Sequence, residues 1–555
     1  MLLVIAMLFN IVALASCSGA GDNGGNTGDG GNSGNNGDNN SGNTGGLPSL
    51  DDIQGALDQA GYKVPEYDGS EVTITFYHTM SATTLQPTLD LYITEFNKLY
   101  PNIHVEHKAV GGYDDVVDQI SKELTAGNQP NIAYCYPDHV AIYNIARAVV
   151  PLDNFIASTA TITDALGNTS TVGFTQEQVD DFVPGYYAEG GVYDDKGTMY
   201  TLPLSKSTEA LYYNKTFFEN CQKIYTSDIE LDINGNIVYL TDDNGEFILD
   251  TNGQKQTKPN PNKGNETYNI KIPTTWDEME AVCKKILTID PTCVPLGRDS
   301  ESNWFITMCE QYAKDGESLY TSIDKNNHFL FDNDTVRSFV EKFANWYREG
   351  YVTTEALHGS YTSSLFTAKE GQRCYMVIGS TGGASYQNPP KDGNGKPMFE
   401  TAMATIPQVD PANPKVISQG PSLCIFKDEN PQEVIASWLF VKFITSNPGF
   451  QAQFSMMSGY APVIKSVKNN PVYQDWLNKA NGYDNLTAMS VSLALSQEDA
   501  YYVSPAFNGS SAARKQVGLV LSNVMADESG KPLKEVIDAE IKRALSECNY
   551  AVNGK

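Results

Sequence analysis

Positive charge is scarce in this chain. Against 67 Asp and Glu stand 38 Lys and Arg, a net charge of -29 over 555 residues. So acidic a surface repels nucleic acid and anionic headgroups, and an anionic ligand would need a local positive site. Catalytic signatures are missing too: there is no HExxH, no paired CxxC, no GxSxG and no phosphate-binding P-loop. His104 and His107 fall on opposite faces of an expected strand, so they do not share a metal. No carboxylate pair stands out as the two groups of a glycoside hydrolase. The apolar run at residues 1–15, broken by Asn10, is too short for the roughly 20 residues that cross a bilayer.

That run ends in Leu14-Ala15-Ser16-Cys17, small residues before a cysteine. The pattern predicts a bacterial lipoprotein signal cleaved before Cys17, with lipid on its sulfur. No Lys or Arg precedes the apolar run, which places the expected start upstream of Met1. Residues 18–46 are almost all Gly, Asn, Ser, Asp and Thr and cannot bury a core. As a flexible coil they reach about 30 Å, a tether rather than a domain. The remaining eight cysteines could pair outside a cell, yet most sit in apolar segments such as Ala281-Val282-Cys283, so buried free thiols are expected.

From residue 71 onward the hydrophobic period alternates between two and 3.6. Glu71–Tyr77 reads as a strand with Val72, Ile74 and Phe76 on one face, and residues 88–99 as a helix stopped by Pro101. A strand at 103–110, a helix at 114–125 and a strand at 131–136 follow. This rhythm is that of an open α/β sheet with ligands at the carboxyl ends of its strands. Between about 224 and 268, Asn234-Gly235, Asn244-Gly245 and Asn252-Gly253 predict hairpin turns in a β insertion. Its Asp residues lack the Glu that closes a calcium loop. Thr275 and Glu278 form a capping box, and further helices are expected at 335–349 and 431–446. The strand 374–378 runs into Gly379-Ser380-Thr381-Gly382-Gly383, a turn whose amides could converge on an anion.

Aromatic residues beside polar ones recur at Tyr77, Tyr113, Tyr134, Tyr136, Tyr186, Tyr187, Trp304, Tyr460, Tyr501 and Tyr502. Ring faces stack on sugar C–H surfaces while polar neighbours bond hydroxyls, so the group favours a carbohydrate cleft.

Six segments in order, among them residues 73–80, Gly112-Tyr113-Asp114-Asp115, residues 125–130, Leu211-Tyr212-Tyr213-Asn214-Lys215, residues 273–278 and Ser458-Gly459-Tyr460-Ala461-Pro462, resemble family 1 extracellular solute-binding proteins of ABC importers. The resemblance implies a two-lobed periplasmic-binding-protein type II fold with a hinge, lobe 1 from 70–207 and 421–462 and lobe 2 from 210–419 and 464–548. It implies crossings near 206–211, 419–423 and 460–464. The implied protein is a monomer without cofactor or catalysis, serving a permease of two membrane subunits and an ATPase. Within the family the chain is most similar to the branch that binds sn-glycerol 3-phosphate. That likeness places ligand contacts on Tyr113, Asp138, Ser207, Trp304, Ser380, Gly420, Tyr460 and Arg514. Asp138 stands where that branch has Glu, and Glu301 takes the place of a second tryptophan beside Trp304. A planar guanidinium at Arg514 with hydroxyls from Ser207, Ser380 and Tyr460 suits an oxyanion. Asp138, an acceptor, suits ligand hydroxyls, while a carboxylate beside a phosphate is unfavourable, so a neutral sugar is the alternative.

Overall fold

The computed structural model describes residues 62–314, 317–324, 326–479 and 485–553. The signal segment, Cys17 and the tether lie outside them. Five strands make a first sheet: β1 (Val72–His78), β2 (Ile103–Ala109), β3 (Ile132–Cys135), β4 (Leu202–Pro203) and, from late in the chain, β10 (Ser422–Ile425). Five more make a second: β5 (Glu209–Asn214), β6 (Leu296–Arg298), β7 (Val352–Thr354), β8 (Met376–Ser380) and β9 (Thr401–Ala404). The first sheet runs β2-β1-β3-β10-β4, with β10 antiparallel to both neighbours. The second runs β9-β5-β8-β6-β7. A late strand returning antiparallel beside the early parallel ones gives the first lobe chain from both halves of the sequence, as in the type II arrangement.

Period-two patterning sets the first core. Val72, Ile74, Phe76 and His78 share the buried face of β1, packed with Phe96 and with Trp438 and Phe440 from the helix Pro431–Ser446. Burying each large apolar side chain contributes about 1.5–3 kcal/mol. The second core gathers Trp276, Trp304, Phe305 and Phe343 beneath the other sheet. The helix Trp276–Ile289 starts where its capping box predicts, Thr275 Oγ1 accepting from Glu278 N at 3.2 Å. Ile464, Val467 and Tyr473 pack into the first core, so the second lobe does not resume at 464 as the sequence suggests. These residues follow the helix Pro448–Ser458, whose apolar face already lies on the first sheet's side.

Three segments lie side by side where the chain passes between lobes. Lys206 pairs with Ala461, and Ser207 exchanges both backbone hydrogen bonds with Gln419 at 2.9 Å. Lys206 is fully buried there, its ammonium bonded to Glu189, to the Gly420 carbonyl and to Ser422 Oγ.

The insertion is a meander of three hairpins, with bridges Leu231–Ile237, Thr241–Phe247 and Leu249–Lys255. At each tip an Asp side chain accepts backbone N–H groups two and four residues on, and Gly235, Gly245 and Gly253 take left-handed φ of 82°, 83° and 78°. Only glycine enters that region without steric cost. The insertion starts later than expected because the helix Lys215–Thr226 carries its apolar face through Ile224. Cysteines 135, 221, 283, 293, 309, 374, 424 and 548 are all buried free thiols. No helix among the described residues is long and apolar enough to cross a membrane.

Candidate functional site

Two cavities meet at the crossing segments, and Gln419 lines both. The smaller, about 110 Å³, lies between the lobes. Asp138, in the first turn of the helix Pro137–Ile145, and Tyr136 before it form one wall. Arg514 of the helix Ser510–Met525, with Tyr320 and Tyr502, forms the other. Guanidinium and carboxylate therefore face one small space from opposite lobes. Arg514 Nη2 also donates to Asn303 Oδ1, which ties down part of the fork expected to greet an anion.

The larger cavity, about 640 Å³, opens on the second lobe and reaches Tyr460 at the crossing. Its floor is the carboxyl end of β6 and β8. Asp299 follows β6 directly, and Ser300 after it holds a left-handed φ of 57° while capping the helix Glu301–Tyr312. Such a conformation in a residue with a Cβ costs about 1–3 kcal/mol and is held by its surroundings. Asp299 Oδ1 accepts from Thr362 N at 2.9 Å and from Thr362 Oγ1 at 2.7 Å. Glu301 Oε1 accepts from Ala356 N at 2.9 Å, which fixes the segment carrying Glu355. Burial raises the Asp299 carboxyl above the usual carboxylate range against its hydrogen bonds to Thr362. Burial raises Glu355 as well, with the charge of Asp299 adding to it. Glu209, also on this wall, is held by Arg298 through two bonds of 2.8 and 2.7 Å. Tyr361 and Tyr386 stand at the cavity with 64% and 74% of their surface exposed.

The structure places four of the eight expected contacts on the cavity walls. Ser380 and Tyr460 line the larger cavity, and Asp138 and Arg514 the smaller. Tyr113 lines neither cavity and packs behind them, its ring 4.5 Å from that of Tyr136. The other three are elsewhere. Ser207 is buried and lines neither cavity; its Oγ accepts from Ser380 Oγ at 3.4 Å. Gly420 packs on backbone: at φ 101° a Cβ would fall 2.4 Å from the Ser205 carbonyl oxygen. Trp304 is fully buried in the second core, its ring 4.1 Å from Phe343 and 6.1 Å from Trp276. The face of its helix that carries an indole points at apolar rings, and solute cannot reach it.

The aromatic theme is also redistributed. Tyr134, Tyr186 and Tyr502 are buried, whereas Tyr361 and Tyr386, which carry no periodic or motif signal, are the exposed rings at the large cavity. Asp299 was legible in principle as the residue directly beyond a short apolar strand, where open α/β sheets meet ligands.

Two α/β lobes joined by paired crossing segments, with cavities at the junction, define a two-lobed solute-binding protein of the periplasmic-binding type. Residues 92–481 match the family described as bacterial extracellular solute-binding protein, and the chain belongs to that family. Its fold is similar to that of UgpB from Mycobacterium tuberculosis in complex with glycerophosphocholine, at 16% identity and TM-score 0.58, covering 86% of this chain and 99% of that one. It is similar also to the sugar-binding protein MalE from Xanthomonas citri, at 17% identity and TM-score 0.58 over 86% and 98% of the two chains. Lmo0181 from Listeria monocytogenes in complex with cycloalternan matches at 14% identity and TM-score 0.58 over 86% and 99%. At these identities the likeness is one of fold. No curated protein matches the sequence.

Proposed function

We propose that this chain is the lipid-anchored capture component of an ABC importer and takes a carbohydrate-type solute, rich in hydroxyls, into the cavity between Asp299 and Tyr460. The observation that carries the reading is the wall of that cavity: it holds Glu209, Asp299 and Glu355, hydroxyls of Ser363 and Ser380 and the rings of Tyr361, Tyr386 and Tyr460, and among its described residues no Lys, Arg or His. Carboxylates and amides bond sugar hydroxyls and tyrosine rings stack on C–H faces, whereas a phosphomonoester there would meet like charge. Lipid on Cys17 and the tether would keep the lobes near a permease and its ATPase, and closure of the lobes on solute would present it.

A second reading, capture of a glycerophosphodiester, is favoured by Arg514, whose cavity adjoins the larger one through Gln419. There the phosphate would share about 110 Å³ with Asp138. A thermal-shift screen of the chain against maltose, longer glucans, amino-sugar oligosaccharides, glycerophosphodiesters and sn-glycerol 3-phosphate tests both. Stabilisation by a glycan supports the first reading; stabilisation by phosphate compounds alone overturns it.

A further inference from the structure

The large cavity presents more negative charge than the protein balances. Arg298 neutralises Glu209 in a two-pronged pair and donates a further bond to the Asp299 backbone carbonyl at 2.5 Å. Asp299 and Glu355 have no ion-pair partner of their own among the described residues; Thr362 donates twice to Asp299 without supplying charge. A different residue makes the same demand. Gln387 is only 3% exposed, lines the same cavity, and its Oε1 has no hydrogen-bond partner among the described residues. A buried acceptor without a donor costs about 1–3 kcal/mol. Two carboxylates and an unpartnered amide oxygen are all acceptors, and Tyr361 and Tyr386 line the cavity beside them. Solute that satisfied this wall would bring donors and positive charge.

We infer that the solute carries an ammonium group, held by Asp299 and Glu355 with Gln387 Oε1 as a further acceptor and tyrosine rings as walls. The inference rests on the proposal that this cavity is the solute site. It makes Asp299 and Glu355 the residues that set specificity, selecting a cationic solute over a neutral isostere and rejecting an anionic one. The ammonium belongs to an amino sugar, whose N–H groups can donate to the two carboxylates and to Gln387 Oε1; the quaternary nitrogen of a choline ester has no N–H for that oxygen.

The test is calorimetry on the full chain in detergent with a glucosamine trisaccharide, its N-acetylated form, maltotriose, glycerophosphocholine and glycerophosphoglycerol. The glucosamine trisaccharide binds at least about tenfold more tightly than its N-acetylated form; a preference for glycerophosphocholine over glycerophosphoglycerol without a preference for amine over acetamide overturns the inference. Asp299→Asn, which keeps an acceptor for Thr362, and Glu355→Gln each reduce the preference by roughly tenfold. The comparison of amine with acetamide needs no variant, so a misfolded mutant does not blunt it. Neutral glycans bound as tightly as charged ones overturn the inference and leave the carbohydrate reading standing. Absence of binding by any of the five overturns both.

Discussion

Gly382 packs against the hydroxyl end of the Tyr460 ring: a Cβ there would stand 2.9 Å from both Cε2 and Cζ. The glycine-rich turn after β8 is thus a seat for a ring of the crossing segment, and both residues line the large cavity. Gly382→Ala is expected to push the ring toward the solute and weaken binding about tenfold, with little loss of fold stability. Gly393→Ala, away from the cavity and with nothing within 4 Å of its Cβ, should leave affinity unchanged. Titration of both variants with the best glycan checks this; equal effects at the two positions would contradict it.

Arg298 and Glu209 are both almost fully buried, so removing one partner strands the other. Arg298→Leu should cost about 3–5 kcal/mol, read as a lower midpoint in denaturant. Adding Glu209→Leu should recover much of it, because the stranded carboxylate is then gone. A double variant as unstable as the single one would show that the loss comes from packing.

Trp304→Ala should likewise destabilise, by about 3–5 kcal/mol, since the indole fills the second core. Affinity for the best glycan, measured below the unfolding transition, should stay within about threefold. A large loss of affinity in a variant that remains folded would return Trp304 to the binding site.

Binding of a cationic solute should weaken on acidification, because Asp299 and Glu355 hold their protons above the ordinary carboxylate range. The groups that face them are Glu209, Arg298, Glu301 and Tyr361, none of which supplies a free cation. For the ligand-free protein the sign is opposite. Raised carboxyl pKa values contribute stability that is fully present below the unfolded value of about 4 and is lost as pH rises through the folded one. Calorimetry and thermal unfolding across this range should show affinity falling and ligand-free stability rising toward acid. Asp299→Asn should flatten both profiles; profiles that keep their slopes in this variant would assign the titration elsewhere.

Release of the protein from membranes by Cys17→Ala, with solute affinity unchanged, is the expected result for an anchor separate from the binding body. Fractionation of cells carrying each form checks it, and a variant that stays with the membrane would refute lipidation at Cys17.

Much of the fold was legible because its signals are local. Alternation wrote β1 and β2, Thr275 with Glu278 marked a helix start, and the Asn-Gly pairs marked the three hairpins. Of the expected contacts that fall on the cavity walls, Asp138 sits in a first turn, Ser380 at the end of β8 and Tyr460 just after a helix. Trp304 was misplaced because helical spacing does not say which face meets the core. Glu355, Tyr361 and Gln387 come from short irregular stretches that only the tertiary fold gathers around Asp299. No period or motif encodes their meeting.

The most direct test of a solute held by Asp299 and Tyr460 rather than by Arg514 is calorimetric titration of wild type and Arg514→Ala with the best glycan and with sn-glycerol 3-phosphate. The glycan should bind both forms within about threefold, and sn-glycerol 3-phosphate should bind neither well. Tight binding of sn-glycerol 3-phosphate that Arg514→Ala weakens by roughly 10 to 150-fold, the worth of a hydrogen bond to a charged group, would contradict the carbohydrate assignment and make Arg514 the anchor of a phosphate site.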